Sequence, residues 1–139
     1  MGYSILKFPN RHIMSMKTKK DIVEDWLPRY TGRALEDFSK HIILTNFDYY
    51  LDLFAEKYNA PIIGENKNMP NVSHDGITMI NFGMGSANAA TVLDLLSAIE
   101  PEAVLFIGKC GGLKAKHHEG GYILPIAAIK GEGDRKSVV

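Results

Sequence analysis

Only one cysteine, Cys110, occurs in 139 residues, so no internal disulfide can form and no CxxC metal site can be built. That usage suits a reducing cytoplasm. Charge of one sign is not in excess either: sixteen Lys and Arg face sixteen Asp and Glu. Without a net field, neither nucleic acid nor an anionic membrane is an expected partner, and any anion must be held by a local set of donors. No apolar run approaches the roughly 18 residues of a membrane-spanning helix. The opening "MGYSILKFPNRHIMSM" lacks the continuous apolar core and small-residue cleavage site of a signal peptide. A phosphate loop of the GxxxxGK[ST] type is missing, and so are internal repeats and low-complexity tracts. What these absences leave is one soluble, intracellular domain, and 45% hydrophobic residues are enough to give it a core.

The apolar spacing divides that domain into alternating elements. "MKTKKDIVEDWLPRYTGRALEDF" carries Ile22, Val23, Trp26 and Leu27 at helical intervals, with Pro28 expected to break the helix. "HIILTNF" is a short strand, Ile42 to Leu44, closing on Thr45-Asn46. In "DYYLDLFAEKYNA" Tyr49, Leu53, Phe54 and Tyr58 recur with helical period. "APIIGENKNMPNVSHDG" begins as a strand and dissolves into polar turn residues. "ITMINF" is a strand ending at Gly83, and "SANAATVLDLLSAIEPE" is a helix with Ser86 as its expected N-cap and Pro101 beyond its end. "AVLFI" and "YILPIAAI" read as strands buried on both faces. Strands alternating with helices predict a layered α/β domain with a largely parallel sheet.

Two glycine loops stand at strand exits. "NFGMGSANAA" leaves the Ile77–Phe82 strand and enters a helix, where amides bared by Gly83 and Gly85 can face an anion or a hydroxyl-rich ring, with Ser86 adding a hydroxyl. "GKCGG" leaves the Val104–Ile107 strand. A right-handed crossover between the two strands brings both loops to one carboxyl edge, where open α/β sheets bind ligands. A dinucleotide fingerprint does not fit: Asn88 stands in place of the third glycine, and the second strand ends in Ile107-Gly108-Lys109 rather than an acidic residue.

These residues resemble a known family. "ITMINFGMGSANAATVLDLLSAIEPEAVLFIGKCGGL", continued by "GGYILPIAAIKGEG", is similar to the catalytic domain of AMP nucleosidases, in the nucleoside phosphorylase and nucleosidase superfamily, and the likeness runs from about Met16 to Gly133. It implies a truncated three-layer α/β sandwich of phosphorylase/hydrolase-like type with a mixed, mainly parallel sheet. It implies hydrolysis of AMP to adenine and ribose 5-phosphate, without cofactor or metal, by a protein that is a cytoplasmic homo-oligomer such as a hexamer when full length; the present chain, a fragment without the C-terminal catalytic half, is expected to be inactive alone. A purine nucleoside phosphorylase and a catalytically silent nucleotide-binding module are the alternatives. By the same resemblance Gly83, Met84, Gly85 and Ser86 approach ribose and phosphate. Lys109 stands where phosphorylases carry a hydroxyl residue on phosphate, and Cys110, Gly111 and Gly112 line the base pocket. Asn46 takes the place of another phosphate-loop residue, with Arg29 and Arg33 as candidates to complete that site. The family's proton-donating aspartate lies beyond the matching segment, so no catalytic acid is assigned in this chain.

The resemblance also bears on the ends. Met16 matches the family's start, so residues 1–15 are expected to be an extension, and "DRKSVV", Asp134 to Val139, reads as translated sequencing adapter rather than native sequence. Other residues have plainer readings. Cys110 is expected to pack rather than to react, and His117-His118 lacks a spaced third ligand for a metal. Asp48, Asp94 and Glu100 read as helix-surface or capping charges. Phe47, Tyr49 and Tyr50 read as helix packing, with Tyr50 the one that suits a base-stacking role.

Overall fold

The computed structural model describes residues 17–114 and 118–127. The expected extension and tail, residues 1–15 and 134–139, lie outside the described residues. The chain divides into two units, Met1–Gly108 and Lys109–Val139, and every helix and strand described belongs to the first. They are α1 (Lys19–Thr31), β1 (His41–Thr45), α2 (Asp48–Tyr58), β2 (Asn71–His74), β3 (Ile77–Asn81), α3 (Ser86–Leu96) and β4 (Ala103–Ile107), with a 3-10 turn at Leu35–Asp37.

Helix α1 starts where Thr18 and Asp21 close a reciprocal capping box: the Thr18 N–H donates to Asp21 Oδ2 at 2.8 Å and the Asp21 N–H to Thr18 Oγ1 at 3.2 Å. Thr18 holds the Asp21 carboxyl below its ordinary value, because its side chain and then its backbone N–H both favour the charged form. Val23, Leu27 and Thr31 recur every four residues and form the buried face, while Ile22 and Trp26 lie on the exposed one. Pro28 does not end the helix as its ring would suggest. It sits inside, and α1 stops one turn later at Gly32, whose N–H reaches the Pro28 carbonyl at 2.8 Å. Burial of Leu27 and Thr31 on either side outweighs the one ladder bond that proline cannot make.

The sheet has the order β2-β3-β1-β4, with β1 parallel to both β3 and β4, and β2 antiparallel to β3. It is mixed and mainly parallel. The β3–α3–β4 crossover therefore steps over β1. Period-two alternation separates two cores. Ile42, Leu44 and Ile80 face α1 and α3, packing on Leu27, Val92 and Leu96. Ile43 and Met79 face the other way, toward Leu51 of α2. The result is three layers: α1 with α3, the sheet, and α2. Leu27, Ile42, Ile80 and Leu96 are each at most 2% exposed, and each such side chain contributes about 1.5–3 kcal/mol of transfer free energy.

Three strand readings need correction. The polar stretch before Gly76 contains β2, closed onto β3 by Asp75-Gly76 with φ values of 46° and 76°, a two-residue turn whose positive φ values match the twist of the hairpin. Ile63 makes only an isolated bridge to Asn71. Strand β4 is not buried on both faces. It is the outer strand among the described residues, and Val104, Leu105 and Phe106 are 40–56% exposed. In the second unit, the described part of "YILPIAAI", Tyr122–Ala127, carries no strand. Pro125 brings no N–H for a ladder, and no described strand pairs with it.

Candidate functional site

Parallel pairing of β1 with both neighbours sends three chain exits to one edge of the sheet. Thr45 is level with Asn81 on β3 and with Ile107 on β4, so Asn46, Phe82-Gly83 and Gly108 leave the sheet together. Thr45 itself, fully buried, organises two of these exits. Its carbonyl accepts from the Phe82 N–H at 3.1 Å and its hydroxyl from the Phe47 N–H at 3.2 Å. Asn46 is half-buried, and its Oδ1 is shielded from solvent with no donor against it. Gly108 lies beside that amide: a Cβ there would stand 4.0 Å from Asn46 Oδ1 and only 3.0 Å from the Phe106 ring. A side chain at Gly108 would thus press on the Phe106 ring of β4, while Asn46 stays at ordinary contact distance.

The second exit leads through Gly83, Met84 and Gly85 into α3. Gly85 occupies the N-cap position at φ 93°, a backbone conformation that side chains strongly disfavour. Ser86 is therefore the first helical residue and not the N-cap. No side chain caps this end. The first-turn amides of α3 have no acceptor within the helix, and aligned peptide dipoles add positive potential there. Gly83 differs from the expectation. Its N–H is turned into the protein, donating to Asn81 Oδ1 at 2.9 Å, while Asn81 Nδ2 donates to Asp48 Oδ1 at 2.5 Å. Asp48 is thus more than a helix-surface charge. Met84 is 73% exposed at the tip of the loop.

Lys109, Cys110, Gly111 and Gly112 belong to the second unit and are exposed there. Cys110, expected to pack, is exposed too. With His118, Tyr122 and Ile123 the residues Cys110–Gly112 line a concavity within that unit. The arginines have local partners. Arg29 pairs with Asp25 one turn back on the outer face of α1, at 2.9 Å. Arg33 donates through Nε to Asn71 Oδ1 and lies over the Phe38 ring. Burial pushes its guanidinium below its ordinary value, against the opposing pull of Asp37. Tyr50 meets Phe47 and Tyr49 edge-on and packs on the Leu51 core, which is the packing role. His117 lies outside the described residues. Among the described residues no three His, Cys, Asp or Glu side chains gather as metal ligands, and no helix is long and apolar enough to cross a membrane.

Sequence reasoning gave no role to Thr45 and Asn81, and it read Asp48 only as a helix-surface or capping charge. Each is polar and within two residues of a strand exit already marked by the motifs, and that position was their only signal.

An α/β sheet with glycine loops at one carboxyl edge is the frame of a large enzyme class, and here the class is defined: the chain belongs to the phosphorylase superfamily, whose family model matches residues 33–139. Individual relatives are narrower in kind. The crystal structure of AMP nucleosidase from Bacteroides thetaiotaomicron VPI-5482 superposes with a TM-score of 0.78 at 64% identity, over 85% of this chain and 50% of that one. AMP nucleosidase of Escherichia coli (strain K12) is 26% identical over 141 residues, covering 75% of this chain and 29% of that protein, and the protein from Escherichia coli O157:H7 gives the same values. The chain thus spans half or less of the length of these relatives.

Proposed function

We propose that this chain carries the ribose-phosphate side of an AMP nucleosidase, acting in the reaction of AMP with water that yields adenine and ribose 5-phosphate. The observation that carries it is the 64% identity to a solved AMP nucleosidase along 85% of the chain. The geometry supports it. Departure of the purine leaves an oxocarbenium-like ribose, so such an enzyme must hold the sugar phosphate firmly while water approaches. Met84, Gly85 and Ser86, at the amide-rich start of α3, are suited to phosphate and ribose oxygens. Asn46 stands at the adjoining exit, where the family pattern places another phosphate-loop residue. On the family pattern, Lys109 takes the phosphate charge and Cys110, Gly111 and Gly112 lie along the base. Arg29 and Arg33 fit less well, since both already have partners. A cytoplasmic homo-oligomer belongs to the same proposal, supported by the single cysteine and the family resemblance.

Because no catalytic acid is assigned in this chain, the test supplies AMP, with and without inorganic phosphate, to the protein extended to the full length of its relatives and separates the products. Adenine with ribose 5-phosphate, independent of added phosphate, is the expected result. Ribose 1-phosphate formed from adenosine and phosphate would make it a phosphorylase, and AMP bound without release of adenine would make it a binding module. Lys109→Ala should weaken AMP about tenfold or more, the size of a charge-assisted hydrogen bond, and leave adenosine unaffected. Equal losses for the two ligands would remove Lys109 from the phosphate.

A further inference from the structure

We propose that Asp48 is a positioning residue for the Gly83–Ser86 ligand loop, acting through the side-chain amide of Asn81; this rests on the AMP-binding reading above. An asparagine amide has nearly the same shape either way round, so something must decide which end meets the loop. Here a carboxylate decides. Ionised Asp48 can only accept, so it takes Nδ2 of Asn81 at 2.5 Å and leaves Oδ1 for the Gly83 N–H at 2.9 Å. Asn81 is 7% exposed. Turned the other way, it would set an NH2 group against the Gly83 N–H in a space that water barely reaches, and an oxygen against the carboxylate.

The placement of Asp48 fits that task. It is the first residue of α2, whose N-cap Phe47 supplies no side-chain hydrogen bond, and the peptide dipoles of α2 favour a negative charge there. Asn81 is the last residue of β3, held by its own N–H to the Pro70 carbonyl at 2.9 Å. The chain of contacts therefore runs from the β1 exit, through a rigid strand end, to the first amide of the glycine loop. With Gly83 at φ 76° pinned in this way, the loop is aimed into α3, and the helix's first turn rather than Gly83 is what meets the ligand. Preorganisation of this kind acts on affinity without touching the ligand.

The test uses the full chain, with AMP binding by calorimetry and amide exchange of the unliganded protein. Asp48 is exposed, so its variants should fold. Asp48→Ala is expected to weaken AMP by about tenfold and to speed exchange at the Gly83 amide by at least about tenfold, with the β2–β3 ladder amides unchanged. Asp48→Glu, which keeps an acceptor, should recover most of both effects. Asp52→Asn, the same charge change one turn along α2, should alter neither. Unchanged AMP affinity or unchanged Gly83 exchange in Asp48→Ala overturns the proposal, and so does loss of protection throughout β3, which would make the role merely structural. If the wild-type chain binds no AMP, the functional reading fails and takes the ligand half of this proposal with it. The Gly83 exchange result still separates that failure from a wrong geometry.

Discussion

Asn71 carries more of the local structure than any residue the motifs singled out. It is fully buried, and its Nδ2 donates to the carbonyls of Thr31 and Met69 at 2.8 and 3.2 Å, with a longer contact to Ile63. Its Oδ1 accepts from Arg33 Nε. One side chain thus closes the end of α1, the bridge at Ile63 and the start of β2, and it occupies the arginine otherwise available as a phosphate ligand. Replacing it by alanine leaves several buried carbonyls and a half-buried guanidinium without partners. Asn71→Ala is expected to lose about 3 kcal/mol of stability, read as a lower urea midpoint with an unchanged slope. An unaltered midpoint would show that water replaces these bonds freely. From the sequence, Asn71 was one polar residue among several in a supposed turn. A buried asparagine is identified by its partners, and two of these, Thr31 and Arg33, lie 40 and 38 residues away.

Elements were legible where periodicity and termination agreed. The run of apolar residues in β1 and β3, and the helical spacing in α2 and α3, each named its element, because both faces of these two strands are covered and the pattern reflects burial. The misses have definite causes. Strand β2 is four residues long with one apolar side chain, Val72, facing a core. Its signal was the Asp75-Gly76 pair followed directly by a strand, a hairpin mark that outweighs a short polar run. At Pro28 the local rule was sound and tertiary packing overrode it. Proline interrupts the α1 ladder at the Glu24 carbonyl, so Pro28→Ala should stabilise the chain by about 1–2 kcal/mol, less than the full helix-interior penalty because alanine also frees the unfolded chain. Thermal unfolding measures this. A lower melting temperature would mean that the ring's packing, and not the missing donor, sets the balance.

At the scale of the molecule, the alternation of strands and helices conveyed a layered, largely parallel sheet and the shared carboxyl edge, because parallel strands with crossovers admit few arrangements, while the three layers were what the family resemblance implied. It misjudged β4. A wholly apolar strand reads as buried on both faces, yet Ala103–Ile107 is the outer strand among the described residues, and its middle side chains are about half exposed. Among the described residues this edge has no strand on its outer side, so it presents backbone groups beside apolar side chains, a combination that recruits further strands. The chain's charge does not oppose this, since its net value is zero. Concentration-dependent light scattering near neutral pH is therefore expected, and Leu105→Lys should suppress it by placing a charge on the edge. Leu93→Lys supplies the control, because Leu93 is equally exposed, 53% against 51%, but lies on α3 where no backbone groups are open to pairing. If both variants suppress scattering alike, exposed apolar area alone drives association. If only Leu105→Lys does, the strand edge is the route, and β4 is where the first unit takes on a neighbour.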